Sequence, residues 1–439
     1  MSDYVFPDDL AARVTERWHA IAARHEGRVP ELPRPADLKH VLATAFFASF
    51  EREEGRNLRF MLCCSPDLEV TRDGLGEVVP VMPLEAPRPM SVATLRSIAP
   101  AVNANNAAIL VRCPSGGGDD ERCEIAGVLH VGANLARARS GRSFYYRPAP
   151  YALLVDVRDA GELHIYQGGL KLAAMRAGRL YDQIAYSALE FLPISDILAG
   201  GEQTLRPRIA LPAHEPHHET SDFHWTALLN TILCTINGVK EHGHGGTVLL
   251  VSPDAAPTLP IHTKFDIHGR VNILGNRFVT FLNARHQLTD ARWRHRAAAH
   301  IEAHATALSI LENAAFDAEE QLADAADLVA QLTAVDGALV LTSDLRVLGF
   351  GAEIVLDTAV PITAYEVVGS ADRFEAWPEV DSQSFGMRHR SALRCVSVSK
   401  GVAAFVVSQD HSVSFIWKKG HKVLLKKNVN TSNPNMVGA

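Results

Sequence analysis

Apolar positions along this chain switch between a helical and a strand period, and the switches mark its elements. Leu10, Val14, Trp18 and Ile21 fall on one stripe of an amphipathic helix over residues 3 to 25, opening after Pro7. The Pro-rich linker ELPRPADLKH leads to a second helix over Leu38 to Arg52. From Phe60 to Cys64 the pattern becomes strand-like. Ala107 to Cys113 and Ile125 to Val131 are apolar strands joined by PSGGGDDER. That glycine run reads as a hairpin loop, because neither Lys-Ser/Thr nor a helix start follows it. Tyr151 to Val157, Leu163 to Gln167 and Leu170 to Arg176 predict a meander, with turns at Asp159-Ala160-Gly161 and Gly168-Gly169. Residues 184 to 198 read as helical, 199 to 222 as a polar, Pro- and His-rich connection, and Trp225 to Val239 as a helix. Thr247 to Val251 is a buried strand.

Thr289 or Asp290 can cap a long helical region reaching Leu332, with Trp293, Ile301, Leu308, Leu311, Phe316, Leu322 and Leu328 as packing residues. The region is long for one globular helix, so a break is expected near Asn313. It serves either as a connector that carries a signal or as two packed helices.

The chemistry concentrates in the last quarter, from Gln331 to about Leu425. Ala338 to Thr342 fits a buried strand with Asp336-Gly337 at its mouth, Asp344 marks a turn, and Val347 to Phe350 is the return strand. Arg388-His389-Arg390 follows Gly386 and opens a helix on which Ala392, Cys395, Val396 and Ser399 are spaced to face one side. Gly401 stops it, and Val402 to Val407 is another buried strand. Two guanidiniums and an imidazole at a helix N-terminus favour an anion such as a phosphate. A carboxylate on one loop and a cationic cluster on another suit metal-assisted nucleotide chemistry.

At these residues the chain resembles the diadenylate cyclase family, which joins two ATP into cyclic di-AMP. The resemblance rests on Asp336-Gly337-Ala338 (the DGA motif) and Arg388-His389-Arg390 (the RHR motif), in that order. Leu328 to Leu341 is similar to the "ELAxxDGAII" run of the DNA-integrity-scanning branch, and Ser408-Gln409 to its "ISQ" segment. About a hundred residues are covered. A second RHR, Arg294-His295-Arg296, falls in a predicted helix without such a context. Two positions depart from the family: Met387 stands where a Thr or Ser usually precedes RHR, and Gln409-Asp410 where another branch carries a Glu pair.

The resemblance implies a mixed β-sheet flanked by helices, so the whole chain is expected to be α+β or α/β. The expected organisation is an N-terminal helical segment over 1–55 and an α+β sensor-like domain over 56–285. A helical connector with the first cyclase helix (286–333), a cyclase-like domain (334–427) and a flexible tail (428–439) follow. A separate α+β domain ahead of a cyclase is similar to the probable sensor domains at the N-termini of some diadenylate cyclases, of the DACNV kind. The fragment from about Leu288 onward holds every residue assigned to the pocket and is expected to bind ATP.

By the same resemblance, Asp336 would bind Mg²⁺ or Mn²⁺ and place the attacking hydroxyl. Gly337 and Ala338 would let the nucleotide approach the backbone. Arg388 and Arg390 would hold phosphate oxygens, with His389 a further donor or a positioning residue. Met387, Ser391, Ser408 and Gln409 would line the same pocket. One site holds one ATP, so two must face each other in a homodimer or larger homo-oligomer. The alternatives are a DAC-like nucleotide-binding sensor with little or no catalysis, and a synthase of another cyclic dinucleotide.

Composition narrows the remaining classes. A net charge of −7, 47% apolar and 21% charged residues describe an ordinary globular protein and argue against a general nucleic-acid coat. Lys418, Lys419, Lys422, Lys426 and Lys427 make the C-terminal stretch locally basic, as a solvated strand face would be. Six cysteines without a CxxC pair fit thiols in a reducing cytoplasm, and the acidic N-terminus lacks the shape of a signal peptide. His40 to Phe50 is too short to span a bilayer, so a membrane is not an expected partner; DNA is not expected either, because the last strand leaves no room for the DNA-binding helical module of the scanning branch. His214, His217, His218, Glu219 and His224, with His242 and His244 behind, have metal-like spacing, but Pro212 and Pro216 favour an exposed polar loop. Glycines around His242 and His244 read as a tight turn, Cys395 as a packed thiol, and no Ser-His-Asp order supports a hydrolase.

Overall fold

The computed structural model describes residues 5–22, 32–65, 79–104, 106–113, 122–131, 152–167, 170–176, 178–181, 193–212, 217–267, 272–297, 302–355, 362–367, 377–409, 412–429 and 431. The PSGGGDDER loop apart from its last residue, the Gly168-Gly169 turn, Asp410, His214, Pro216 and the tail beyond 431 lie outside them. The chain divides into two compact units. One comprises residues 1–139, 145–185 and 435–439, the other 140–144 and 186–434.

The first unit is an eight-stranded mixed sheet with helices on one face. Its helices are α1 (Pro7–Ala22), α2 (Pro35–Ala48) and α3 (Val92–Ile98). A small hairpin, β1 (Arg52–Glu53) and β2 (Arg56–Asn57), stands apart from the sheet. The sheet contains β3 (Phe60–Ser65), β4 (Val81–Pro89), β5 (Ala107–Arg112), β6 (Glu124–His130), β7 (Leu153–Asp159), β8 (Glu162–Gln167), β9 (Leu170–Arg176) and β10 (Arg179–Tyr181). Their spatial order is β10-β9-β8-β7-β3-β5-β6-β4, with only the β3–β5 pair parallel. Side chains alternate across a strand. Phe60, Leu62 and Cys64 therefore join Leu10, Val14, Trp18, Leu38 and Leu42 in one core. Met61 and Cys63 enter a smaller cluster with Leu110, Leu154 and Tyr166 on the other face.

The second unit holds the C-terminal motifs. Its helices are α4 (Ser195–Leu205), α5 (His217–His242), α6 (Ile273–Ala297), α7 (Glu302–Gln331) and α8 (Met387–Val398). Its strands are β11 (Gly246–Val251), β12 (Ile261–Asp266), β13 (Ala338–Thr342), β14 (Val347–Ile354), β15 (Ala364–Glu366), β16 (Glu379–Val380), β17 (Val402–Val407), β18 (Val413–Lys419) and β19 (Lys422–Lys426). They form one sheet in the order β12-β14-β13-β11-β17-β18-β19-β15-β16. Leu249, Val251, Val340, Ala404 and Val406 pack against Ala392, Leu393, Cys395 and Val396 of α8. The alternate face of β11 meets Val239 of α5 and Thr333 after α7, both of which crowd Gly246. Both faces of the central strands are thus covered, which explains why β11, β13 and β17 read as unbroken apolar runs. Mixed sheets flanked by helices are the α+β architecture expected from the sequence.

Several boundaries need correction. The separation expected near 285 falls instead at 185/186, because β11 and β12 belong to the second sheet. Thr247 to Val251 carries no local sign of which sheet it joins, since its partners Ala338 to Thr342 lie some ninety residues downstream. The helical region placed from 289 to 332 with a break at Asn313 is two helices, the first starting at Ile273 and the second running through Asn313. The stretch 199–222 was expected to be a connection, yet α4 extends to Leu205 and α5 begins at His217.

Candidate functional site

The site is assembled at one end of the second sheet by strand register. β11 and β13 run parallel with Thr247 opposite Ala338, so His244-Gly245 arrives beside Asp336-Gly337. On the other side β11 is antiparallel to β17 with Gly246 opposite Val407, so Ser408-Gln409 leaves β17 at the same end. Adjacent strands are about 4.8 Å apart. One strand spacing therefore separates the DGA corner from the β11 entry, and one more reaches the β17 exit.

Gly337 is held in a conformation that disfavours any side chain. Its φ is +123°, and a Cβ there would lie 2.4 Å from the Gly351 carbonyl carbon of β14. The glycine is therefore required for the close approach of two backbones, a structural reason beyond the nucleotide access expected from the sequence. Asp336 is exposed immediately before it, and Ala338 is buried as the first residue of β13. Lys264 of β12 donates from Nζ to the Asp336 carbonyl at 3.5 Å and pairs with Glu353 at 3.0 Å.

The RHR cluster opens α8. Gly386 is its N-cap and no side chain caps it, leaving first-turn N–H groups directed out of the helix. Met387 at the first position is 76% exposed, so it does not serve the core. Arg388 reaches back to β11: its Nη2 donates to the His244 carbonyl at 3.4 Å, and its Nη1 lies 2.9 Å from where a Gly245 Cβ would stand. That same point is 3.3 Å from the Gln409 backbone nitrogen. Arg388, Gly245 and Gln409 are thus gathered around one spot, one strand away from Asp336-Gly337.

His389 and Arg390 are engaged differently. His389 Nε2 is 2.9 Å from Ser414 Oγ on β18, and its ring stacks on Phe385 at 5.6 Å. Lys427 Nζ lies 5.1 Å above the Phe385 ring. Arg390 donates from Nη1 to Gln383 Oε1 at 3.3 Å. Ser391 is half-buried, and the Ser408 N–H donates to the Ser412 carbonyl at 2.9 Å, which closes the β17–β18 turn. The second RHR begins inside α6, at Arg294-His295, and not at the N-terminus of a helix.

Sequence reasoning missed His244, Gly245 and Lys264 as members of this site. The available signal was HGHGG immediately before a buried strand. Gly243 and Gly245 do make the tight turn, with φ of +74° and +67°, but only the register of β11 places that turn against Arg388. Cys395 lies in the α8 core, where burial pushes its thiol up to about 11.

The histidine-rich stretch is also corrected. His224 was read as part of an exposed loop, but it is buried on α5 with its Nε2 3.2 Å from Nε2 of buried His286. His286 Nδ1 faces the Ala210 carbonyl at 2.5 Å, so it carries the proton and donates there. With both rings neutral, His286 Nε2 then accepts and His224 Nε2–H donates. Burial, with His286 and Arg206 adding to it, pushes His224 down to about 4. Among the described residues no three His, Cys, Asp or Glu side chains are placed to hold a metal ion.

Comparison with known proteins bears on the first unit. Residues 28–130 match the family model of DACNV, a probable sensor domain. The match starts ahead of α2 and ends with β6, entirely within that unit. No curated protein matches the chain, and no solved structure does. Among the described residues no helix is long and apolar enough to cross a membrane.

Proposed function

We propose that this protein is a diadenylate cyclase-like nucleotidyltransferase that condenses two ATP into cyclic di-AMP, with its N-terminal unit as the regulator. The observation that carries the reading is the convergence, through β11, of the exposed Asp336 corner and the Arg388 guanidinium at one end of the sheet. The DACNV match supports it, since that sensor domain is typically found with diadenylate cyclases.

In this reading the uncapped N-terminus of α8 and Arg388 take the phosphates, with Arg390 able to swing from Gln383 to join them. The reaction is two successive attacks, each of a 3′-hydroxyl on an α-phosphate with cleavage of the α–β bridge and departure of pyrophosphate. Asp336 accepts the hydroxyl's hydrogen bond and orients it. Mg²⁺ or Mn²⁺ would be held by Asp336 together with the triphosphate, and would supply charge neutralisation at the phosphoryl oxygens. A single exposed carboxylate fits such an ion, because Mg²⁺ is commonly bound through one or two carboxylates plus substrate phosphates. Each protomer offers one such site, so ring closure needs two protomers whose sites face each other.

Met387 favours a second reading. The first position of α8 carries an exposed thioether in place of a hydroxyl, which suits a nucleotide-binding sensor with little turnover. Incubating the full chain with ATP and Mn²⁺ and analysing the products by mass decides between them. Cyclic di-AMP is expected from the wild type, and none from Asp336→Asn with an unchanged Tm. ATP binding without any linked dinucleotide would replace the cyclase by the sensor.

A further inference from the structure

The first unit holds a pair of thiols that the cyclase reading does not use. Arg112 of β5 is opposite Glu124 of β6, so the next residues outward, Cys113 and Cys123, are cross-strand neighbours. Their backbones are fixed independently: the Cys113 N–H donates to the Ser65 carbonyl at 3.3 Å, and the Met90 N–H donates to the Cys123 carbonyl at 3.2 Å. The two sulfurs are 2.8 Å apart and both residues are buried. Cross-strand neighbours have Cα atoms about 4.5–5.5 Å apart, inside the range a disulfide spans. No backbone movement is needed to join them.

Cys123 also lines a cleft of about 530 Å³ at the start of α2, together with Arg34, Asp37, His40 and Arg122. Of the two cysteines, Cys123 is the one that borders the cleft, and Cys113 does not line it. Cys113 lies behind, beside Cys64 of β3. Asp37, itself paired with Arg34 at 2.6 Å, is the polar neighbour of the Cys123 thiol.

We propose that Cys113 and Cys123 form a reversible dithiol–disulfide couple, and that Cys123 is the sulfur that meets a hydroperoxide entering the cleft. Cys123 sulfur attacks the peroxide oxygen, the O–O bond breaks, and water or an alcohol leaves with the thiol proton. Cys113 then attacks the sulfenic sulfur, the S–O bond breaks, and a second water carries away the Cys113 proton. Two thiols are oxidised to one disulfide as one peroxide is reduced. The hydrogen bond from Cys123 to Cys113, and burial after it, push the Cys123 thiol up; the same bond pulls Cys113 down, but its neighbour Cys64 and burial outweigh it and leave Cys113 raised too. Thiolate is the reacting form, so the couple answers sustained oxidant and is slow against a brief pulse.

The test uses the reduced full-length protein and hydrogen peroxide. Arg122 lies between the two cysteines, so trypsin separates them unless a disulfide holds them together. Peptides 113–122 and 123–137 should be recovered as one linked species that dithiothreitol parts. The thiol count under denaturing conditions should fall by two from the chain's six cysteines. Cys64→Ser should keep the link, and Cys123→Ser should lose it. Six thiols surviving prolonged peroxide, a link from Cys64 to Cys113 instead, or sulfinate at Cys123 without any link would each overturn the proposal. The wild-type peptide map decides even where a variant fails to fold.

Discussion

Removing everything before Leu288 should leave a fragment that cannot fold, although it keeps Asp336, Arg388 and every other residue first assigned to the pocket. The reason is β11. It lies between β13 and β17, and Val248, Leu249, Leu250 and Val251 are completely buried. Burying each such side chain contributes about 1.5–3 kcal/mol, so these alone amount to about 6–12 kcal/mol. Their loss also strips hydrogen-bond partners from the facing edges of β13 and β17. A whole domain is stable by only about 5–15 kcal/mol. A fragment from Leu288 is therefore not expected to bind ATP, and the cut belongs at about residue 186. Urea titrations followed by far-UV circular dichroism on fragments 186–439 and 288–439 would measure this. The longer fragment should unfold cooperatively and the shorter should show no transition. A cooperative transition in 288–439 with native-like β signal would refute the argument from the central strand.

Gly337→Ala should cost about 3–5 kcal/mol, because φ of +123° and a 2.4 Å approach to the Gly351 backbone must both be relieved. A denaturation midpoint equal to wild type would show that β13 and β14 separate freely. Met387→Thr should tighten ATP binding up to about tenfold, since a hydrogen bond to a charged phosphate contributes about 1.5 kcal/mol at the weak end; calorimetry showing no change would make Met387 a bystander. His224 is held below its unfolded value, so the unfolded state binds the extra proton. Its contribution is present above about 6.5 and is lost as pH falls towards about 4. Glu202 is shifted upward by burial and acts in the opposite direction, so the informative quantity is the difference between wild type and His224→Phe across that window. A constant difference between pH 7 and 4 would contradict the buried neutral imidazole.

Local chemistry is enough to read the elements that need no distant partner. An apolar run such as Val402 to Val407 is a strand because both its faces are buried, and Gly386 followed by RHR opens a helix because nothing before it continues one. Asp336-Gly337 and Arg388-His389-Arg390 stand in plain order along the chain, and the match of residues 28–130 to a sensor-domain model supports the sensor part expected near the N-terminus. Pairing over long separations is visible only in the folded chain. Thr247 to Val251 could have belonged to either sheet, and only its register with Ala338 to Thr342 and with Val402 to Val407 moves the boundary to 185/186. The same register brings the His244-Gly245 turn to Arg388 and makes it part of the site, which no periodicity reveals. Burial of His224 against His286 was hidden likewise, because two helices joined only in space supply the partners. Cys113 and Cys123 are ten residues apart in a chain with no CxxC motif, and it is the β5–β6 ladder that sets their sulfurs side by side.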